Sequence, residues 1–197
     1  MAIKTSSVKI ALAQINATIA DFRGNLNKIR EFSRQAEGLG AELIVFPEQA
    51  IAGYPALDLW EEPSFIRKNT EAMKKLAAET RQVALLVGFT AENTKLSGKP
   101  IYNAAALIYK GKIQAVRHKT LLPTYDVFDE ARYFEPARIN PPIQFKGKRL
   151  GVTICEDAWF SEKNGSRKLY STDPVAAQAH NGADILINIS ASPFIRS

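Results

Sequence analysis

Leu26-Asn-Lys-Ile-Arg-Glu-Phe-Ser-Arg-Gln-Ala-Glu-Gly-Leu-Gly-Ala-Glu-Leu-Ile-Val-Phe46 changes period part-way along. Leu26, Ile29, Phe32, Ala36 and Leu39 recur every three or four residues, the stripe of a helix with one buried face. Gly38 and Gly40 stop that helix, since glycine readily takes the left-handed backbone that ends one. Leu43 to Phe46 then forms an unbroken apolar run, which reads as a buried strand closed by Pro47. The same grammar extends in both directions. Upstream, Val8 to Gln14 (VKIALAQ) reads as a strand, and Asp21 to Asn25 as a loop rich in capping residues. Downstream, a helix from Ser64 to Thr80 leads into an apolar run, Val83 to Phe89. Asn103 to Tyr109 and Ile113 to His118 flank Lys110-Gly-Lys112, a hairpin signature. Arg149 to Ile154 and Asp184 to Ile189 are further strands, with a helix at Pro174 to Asn181 between them. The order β-α-β-α-β, hairpin, β-α-β predicts a layered α/β domain whose sheet is mixed.

No repeat, low-complexity tract or linker divides the 197 residues, so they read as one domain or part of one. The last stretch, Ser190-Ala-Ser-Pro-Phe-Ile-Arg-Ser197, follows a strand with no closing helix, and the expectation is an incomplete domain with apolar sheet surface left bare. A hydrophobic share of 46% is enough for a real core. The single cysteine excludes an intrachain disulfide, and one Cys with two His cannot build a Cys-rich structural zinc site. A reduced, cytoplasmic setting is expected. The apolar stretch Ile10 to Ala20 is broken by Gln14 and Asn16, and no run is long enough to cross a bilayer, so no membrane partner is expected. The net charge of +6 invites a nucleic-acid reading. The basic residues, however, fall in short scattered groups (Lys74-Lys75, Lys110 and Lys112, Arg117-His-Lys119, Lys146 to Arg149), the pattern of solvated turns and helix faces.

Three polar residues stand where strands stop, and α/β folds carry their reactive groups at such positions. Glu48 follows Leu43 to Pro47, Lys119 follows Ile113 to His118, and Cys155 follows Gly151 to Ile154. Singly, each has a plain reading: a solvated strand end, a surface cation, an inert buried thiol. Jointly they form a complete set for cleaving an amide. A thiol attacks a carbonyl only as thiolate, so it needs a base and benefits from a nearby cation. Glu48 could take the proton and return it to the departing amine, while Lys119 could stabilise thiolate and oxyanion. His118 adjoins Lys119 and so faces the other side of its strand. His180 is the alternative imidazole for a Cys/His pair.

Phe46-Pro-Glu48-Gln-Ala-Ile-Ala-Gly-Tyr-Pro55, Arg117-His-Lys119-Thr-Leu-Leu-Pro123 and Ile154-Cys155-Glu156-Asp157 resemble the three signatures of the carbon–nitrogen hydrolase (nitrilase) superfamily, in family order and at family-like separations. The resemblance implies a four-layer α-β-β-α sandwich, with Glu48 as general base, Lys119 as oxyanion stabiliser and Cys155 as nucleophile. It also implies that Glu130, within Phe128-Asp-Glu130-Ala-Arg-Tyr-Phe134, is a second glutamate positioning the lysine. Gly53-Tyr-Pro-Ala-Leu-Asp58, Leu121-Leu-Pro-Thr-Tyr125, Cys155-Glu-Asp-Ala-Trp159 and Asn188-Ile-Ser-Ala-Ser-Pro193 are similar to the glutaminase domain of glutamine-dependent NAD⁺ synthetases. That branch implies L-glutamine as substrate, held by Tyr125 and Ser192, with Glu156, Trp159 and Phe160 as pocket wall. It further implies a homo-oligomer and a separate C-terminal NAD⁺ synthetase domain as partner, using ATP and Mg²⁺, with no cofactor or metal in the glutaminase part. A basic residue expected soon after Ser192 has only Arg196 as a nearby candidate. Two other readings stay open: a stand-alone amidase or nitrilase for another small substrate, and a catalytically silent assembly module.

Overall fold

The computed structural model describes residues 7–160, 163–164 and 167–192. In chain order its elements are β1 (Ile10–Leu12), α1 (Phe22–Gly38), β2 (Leu43–Val45), α2 (Pro63–Glu79), β3 (Ala84–Glu92), β4 (Ile101–Tyr109), β5 (Lys112–His118) and α3 (Glu130–Tyr133). Then follow β6 (Ile143–Phe145), β7 (Lys148–Ile154), β8 (Lys163–Asn164), β9 (Arg167–Lys168), α4 (Pro174–His180) and β10 (Ile185–Ile189). Single 3₁₀ turns occupy Leu57–Glu61 and Cys155–Ala158.

Eight of the strands make two facing sheets, and β8 and β9 pair as a separate antiparallel ribbon. In the first, ordered β1-β2-β3-β4-β5, the first three strands are parallel and the hairpin β4–β5 adds two antiparallel ones. In the second, β10 runs parallel to β7 and β6 antiparallel to it. The one mixed sheet expected from the order of elements is thus two, each combining parallel and antiparallel pairs. The later β-α-β unit builds a sheet of its own rather than extending the first. Successive strand residues point to opposite faces, and both faces of the first sheet are apolar. Leu43, Val45, Leu86 and Leu107 meet Phe145, Leu150, Val152 and Ile187 of the second sheet. On the other face Ile44, Phe46, Leu85 and Val87 take Leu26, Ile29, Met73 and Leu76 from α1 and α2. Each such side chain contributes about 1.5–3 kcal/mol through burial. The fourth layer is α4, which lies against β7 with the Gln178 amide donating to the Val152 carbonyl at 3.2 Å. A Cβ on Gly151 would stand 2.8–3.0 Å from Leu186, Ala183 and Gln178, so glycine is what lets α4 lie this close. The layers are those of the α-β-β-α sandwich.

Two local differences have plain causes. Helix α1 begins at Phe22 rather than Leu26, because the Asp21 carboxylate accepts from the Gly24 amide and caps an earlier turn. Strand β6, with three residues beside Pro142 and Lys146-Gly147, is too short to display a period, yet its Ile143 and Phe145 are buried between the sheets. Among the described residues no helix is long and apolar enough to cross a membrane.

Candidate active site

The three strand-end residues converge. Two residues beyond Phe46, Glu48 turns under the first sheet, where its backbone passes so near β3 that a Cβ on Gly88 would lie 2.6 Å from Glu48 Cα. The Gly88 amide donates to the Pro47 carbonyl across that gap. Lys119 follows β5, its amide donating to the Asn103 carbonyl of β4 at 2.8 Å. Glu130 opens α3, after the Glu130 amide has donated to Pro123 and closed the preceding loop. Lys119 Nζ donates to Glu48 Oε1 at 2.9 Å and to Glu130 Oε1 at 2.7 Å, and none of the three residues is more than 2% exposed.

Cys155 sits at the tip of β7 with φ of +46°, a left-handed backbone that costs a non-glycine residue about 1–3 kcal/mol. Asp157 holds this turn. Its Oδ2 accepts from the Ile154 amide at 3.0 Å, and its Oδ1 accepts from the Thr120 and Leu121 amides at 2.9 and 2.8 Å. One buried carboxylate thereby ties the segment after Lys119 to the turn that carries Cys155. The thiol lies 3.8 Å from the Ser192 hydroxyl. The Ala191 amide donates to Glu48 Oε2 at 3.0 Å, so the segment after β10 binds the carboxylate oxygen that Lys119 leaves free.

Electrostatically, one cation faces two carboxylates and a thiol. Burial alone would lower Lys119, but Glu48 and Glu130 reverse this and hold it above the usual lysine value. Glu130 is raised, first by burial and then by the Glu48 charge, with Lys119 opposing. The Cys155 thiol is pushed up to about 11, by burial first and Glu48 second, while Lys119 pulls it down. Asp157 is raised to about 6 by burial, against its three amide donors. The resting site therefore holds a neutral thiol beside an ionised lysine.

The expected residues other than Arg196 have a definite place. Glu48, Lys119 and Glu130 form one ion cluster, and Cys155 stands within its electrostatic reach. Tyr125 donates to both oxygens of Glu156, at 2.9 and 2.8 Å. Ser192 faces the thiol. Phe160 is half-buried with the Lys168 ammonium 5.1 Å from its ring centroid, and like Tyr125 and Glu156 it is not among the residues lining the cleft. Trp159 is 46% exposed. Arg196 lies outside the described residues. His118 stacks on Tyr102 with centroids 3.9 Å apart, and His180 is exposed at the end of α4, so neither pairs with Cys155. The cleft, about 550 Å³, is lined among others by Glu48, Tyr54, Phe128 and Ser192. Among the described residues no group of three or more His, Cys, Asp or Glu side chains is arranged to hold a metal ion.

Four participants were not singled out from the sequence. Tyr54 donates to Glu130 Oε1 at 2.9 Å, Asn103 donates to Glu48 Oε1 at 2.7 Å, and Tyr170 donates to Glu156 Oε1 at 2.8 Å. Asp157 is the fourth. Asn103 did carry a signal, as an amide set inside the apolar strand Ile101–Tyr109. Tyr170, in an irregular stretch, carried none.

Comparison with known proteins gives the family of the chain. The profile of the carbon-nitrogen hydrolase family matches residues 9–196. The chain belongs to that family. The glutamine-dependent NAD(+) synthetase of Synechocystis is 40% identical over 189 residues, which cover 94% of this chain and 34% of the relative. That of Thermotoga maritima is 39% identical, covering 95% and 30%. Among solved structures, the glutamine-dependent NAD+ synthetase of Acinetobacter baumannii superposes with a TM-score of 0.83 at 31% identity, over 95% of this chain and 33% of that one. An amidase from a Nesterenkonia species shares the fold, with a TM-score of 0.73 at 23% identity over 95% of this chain and 66% of its own. The chain thus spans about a third of the length of the curated relatives it matches, and is homologous to the carbon–nitrogen hydrolase part of NAD⁺ synthetases.

Proposed function

We propose that this chain hydrolyses the side-chain amide of L-glutamine, with Cys155 as nucleophile. The observation that carries the reading is the buried Glu48–Lys119–Glu130 cluster beside a thiol on a strained strand-end turn. As the substrate carbonyl approaches, Glu48 takes the Cys155 proton and Sγ bonds to the carbonyl carbon. The carbonyl π pair moves onto oxygen, where the Lys119 ammonium stabilises the oxyanion. When the tetrahedral centre collapses, the C–N bond breaks and protonated Glu48 gives its proton to the nitrogen, which leaves as ammonia. A glutamyl thioester remains. Water, deprotonated by Glu48, then attacks it and the thiol leaves with the proton, releasing glutamate. Glu130 and Tyr54 hold Lys119 in position throughout. The Tyr125–Glu156–Tyr170 cluster supplies the carboxylate and hydroxyls that a free amino acid's charged groups require when they leave water.

In a longer protein the ammonia would pass to a C-terminal synthetase domain, which would use ATP and Mg²⁺ to amidate deamido-NAD⁺ in the cytoplasm. The names of the relatives support this partner, and the exposed side chains of Tyr125, Val127 and Trp159 are apolar surface that a further domain would cover. The test is Cys155→Ala. Glutamate release from glutamine should stop, and turnover surviving in that variant would refute the assignment.

A further inference from the structure

Behind Glu48 lies a chain of buried amides and a hydroxyl that the reaction above does not use. Asn103, Gln49 and Thr90 are each 0% exposed. Gln49 Nε2 donates to the Phe89 carbonyl at 3.3 Å and to Asn103 Oδ1 at 2.9 Å, while Gln49 Oε1 accepts from Thr90 Oγ1 at 2.9 Å. Asn103 Nδ2 then donates to Glu48 Oε1 at 2.7 Å and, at 3.4 Å, to Glu130 Oε2.

The direction of this chain is decided at its far end. A backbone carbonyl only accepts, so the Gln49 atom facing Phe89 must be the NH₂ group. The same group faces Asn103, which must present its oxygen there and its own NH₂ to the carboxylates. The opposite orientation of Asn103 would put its oxygen against two carboxylates and face its NH₂ with that of Gln49, so both ends select the same direction. Gln49 is also held in a left-handed backbone, φ +48°, which aims its side chain inward from the residue next to Glu48.

We propose that Asn103 is a positioning residue, locked by Gln49 so that it donates to both carboxylates and aims the Glu48 oxygen. The inference rests on Glu48 being the base of the proposed amidase. A charge-assisted donor at 2.7 Å fixes the direction of the carboxylate, so its loss lets Glu48 swing away from the line of proton transfer.

The experiment measures kcat and KM for glutamine in the chain, in Asn103→Leu, in Gln49→Met and in Glu48→Gln, with thermal unfolding as the check on folding. Asn103→Leu should lower kcat by about 10- to 100-fold with KM little changed. Gln49→Met touches neither carboxylate and should lower kcat in the same way by a smaller amount. It carries the test alone if Asn103→Leu fails to fold. If Glu48→Gln is inactive while every folded Asn103 and Gln49 variant keeps the original kcat, the positioning role is overturned and the base survives. If Glu48→Gln retains the original activity, the base reading falls and takes this role with it. Absence of glutamine turnover in the unaltered chain would overturn both.

Discussion

Replacing Lys119 by methionine is the sharpest perturbation of this site, because a flexible apolar chain of similar length removes only the charge. The ammonium donates at 2.9 and 2.7 Å to two carboxylates, and its side chain is wholly buried. Removing one partner of a buried ion pair costs about 3–5 kcal/mol, since the other is left as an uncompensated charge. Here one cation serves two carboxylates, which argues for the upper half of that range. In a domain of this size each kcal/mol moves Tm by roughly 2–4 °C, so Lys119→Met should melt on the order of 10–15 °C lower near pH 8. The loss should also depend on pH. Glu130 is already raised by burial with Lys119 opposing, and the variant loses that opposition. Its folded value then lies further above the unfolded value of about 4.3, so the folded state holds the extra proton and stability falls as pH rises above that value. The deficit against the unaltered protein should therefore be greatest at pH 8 and shrink towards pH 5. Adding Glu130→Gln removes one stranded charge and should recover part of the loss. Calorimetry or denaturant melts at pH 5, 6.5 and 8 measure all of this. A pH-independent deficit below about 1 kcal/mol, the worth of an exposed pair, would falsify the buried-cluster account.

Three further outcomes follow from the same geometry. Cys155 is the sole cysteine and its thiol is raised to about 11 by burial and then Glu48, so Glu48→Gln should alkylate faster with iodoacetamide at pH 8 even as it loses amide turnover. Slower alkylation would mean that the carboxylate does not act on the thiol as described. Asp157→Asn replaces an oxygen that accepts from Ile154 by a donor and should cost about 1–3 kcal/mol in denaturant melts. Because Asp157 is raised to about 6 when folded, against about 3.9 unfolded, its contribution falls as pH climbs from about 4 to 6, and the variant's stability should be flatter across that window. Tyr125 is 43% exposed, so Tyr125→Ala should leave Tm nearly unchanged while raising KM for glutamine by about tenfold through the lost hydrogen bond to Glu156. An unchanged KM removes Tyr125 from the substrate site.

Where periodicity was strong, the sequence was legible. The stripe from Leu26 to Leu39 and the runs at Leu43 to Phe46 and Arg149 to Ile154 became α1, β2 and β7 with ends displaced by a few residues. The ends themselves depend on single contacts such as the Asp21 cap, which no period announces. Strand β6 escaped notice because three residues cannot establish alternation.

Glu48, Lys119 and Cys155 could be named as candidates from the chain alone, because each follows a strand and each is a residue type that amide chemistry needs. Which charges they share was not. Tyr54, Asn103 and the Ala191 amide reach the cluster from positions 6, 55 and 143 residues away from Glu48, and a hydrogen bond across such separations leaves no mark on local pattern. Nor does the order of strands show that the chain leaves one sheet to build a second. That follows from both faces of the first sheet being apolar, so that one face needs helices and the other a sheet. The sequence by itself determined the elements and the chemistry available at their ends. Only tertiary packing decided that one buried ammonium should neutralise two carboxylates beside a thiol, because desolvation and charge pairing act through space rather than along the chain.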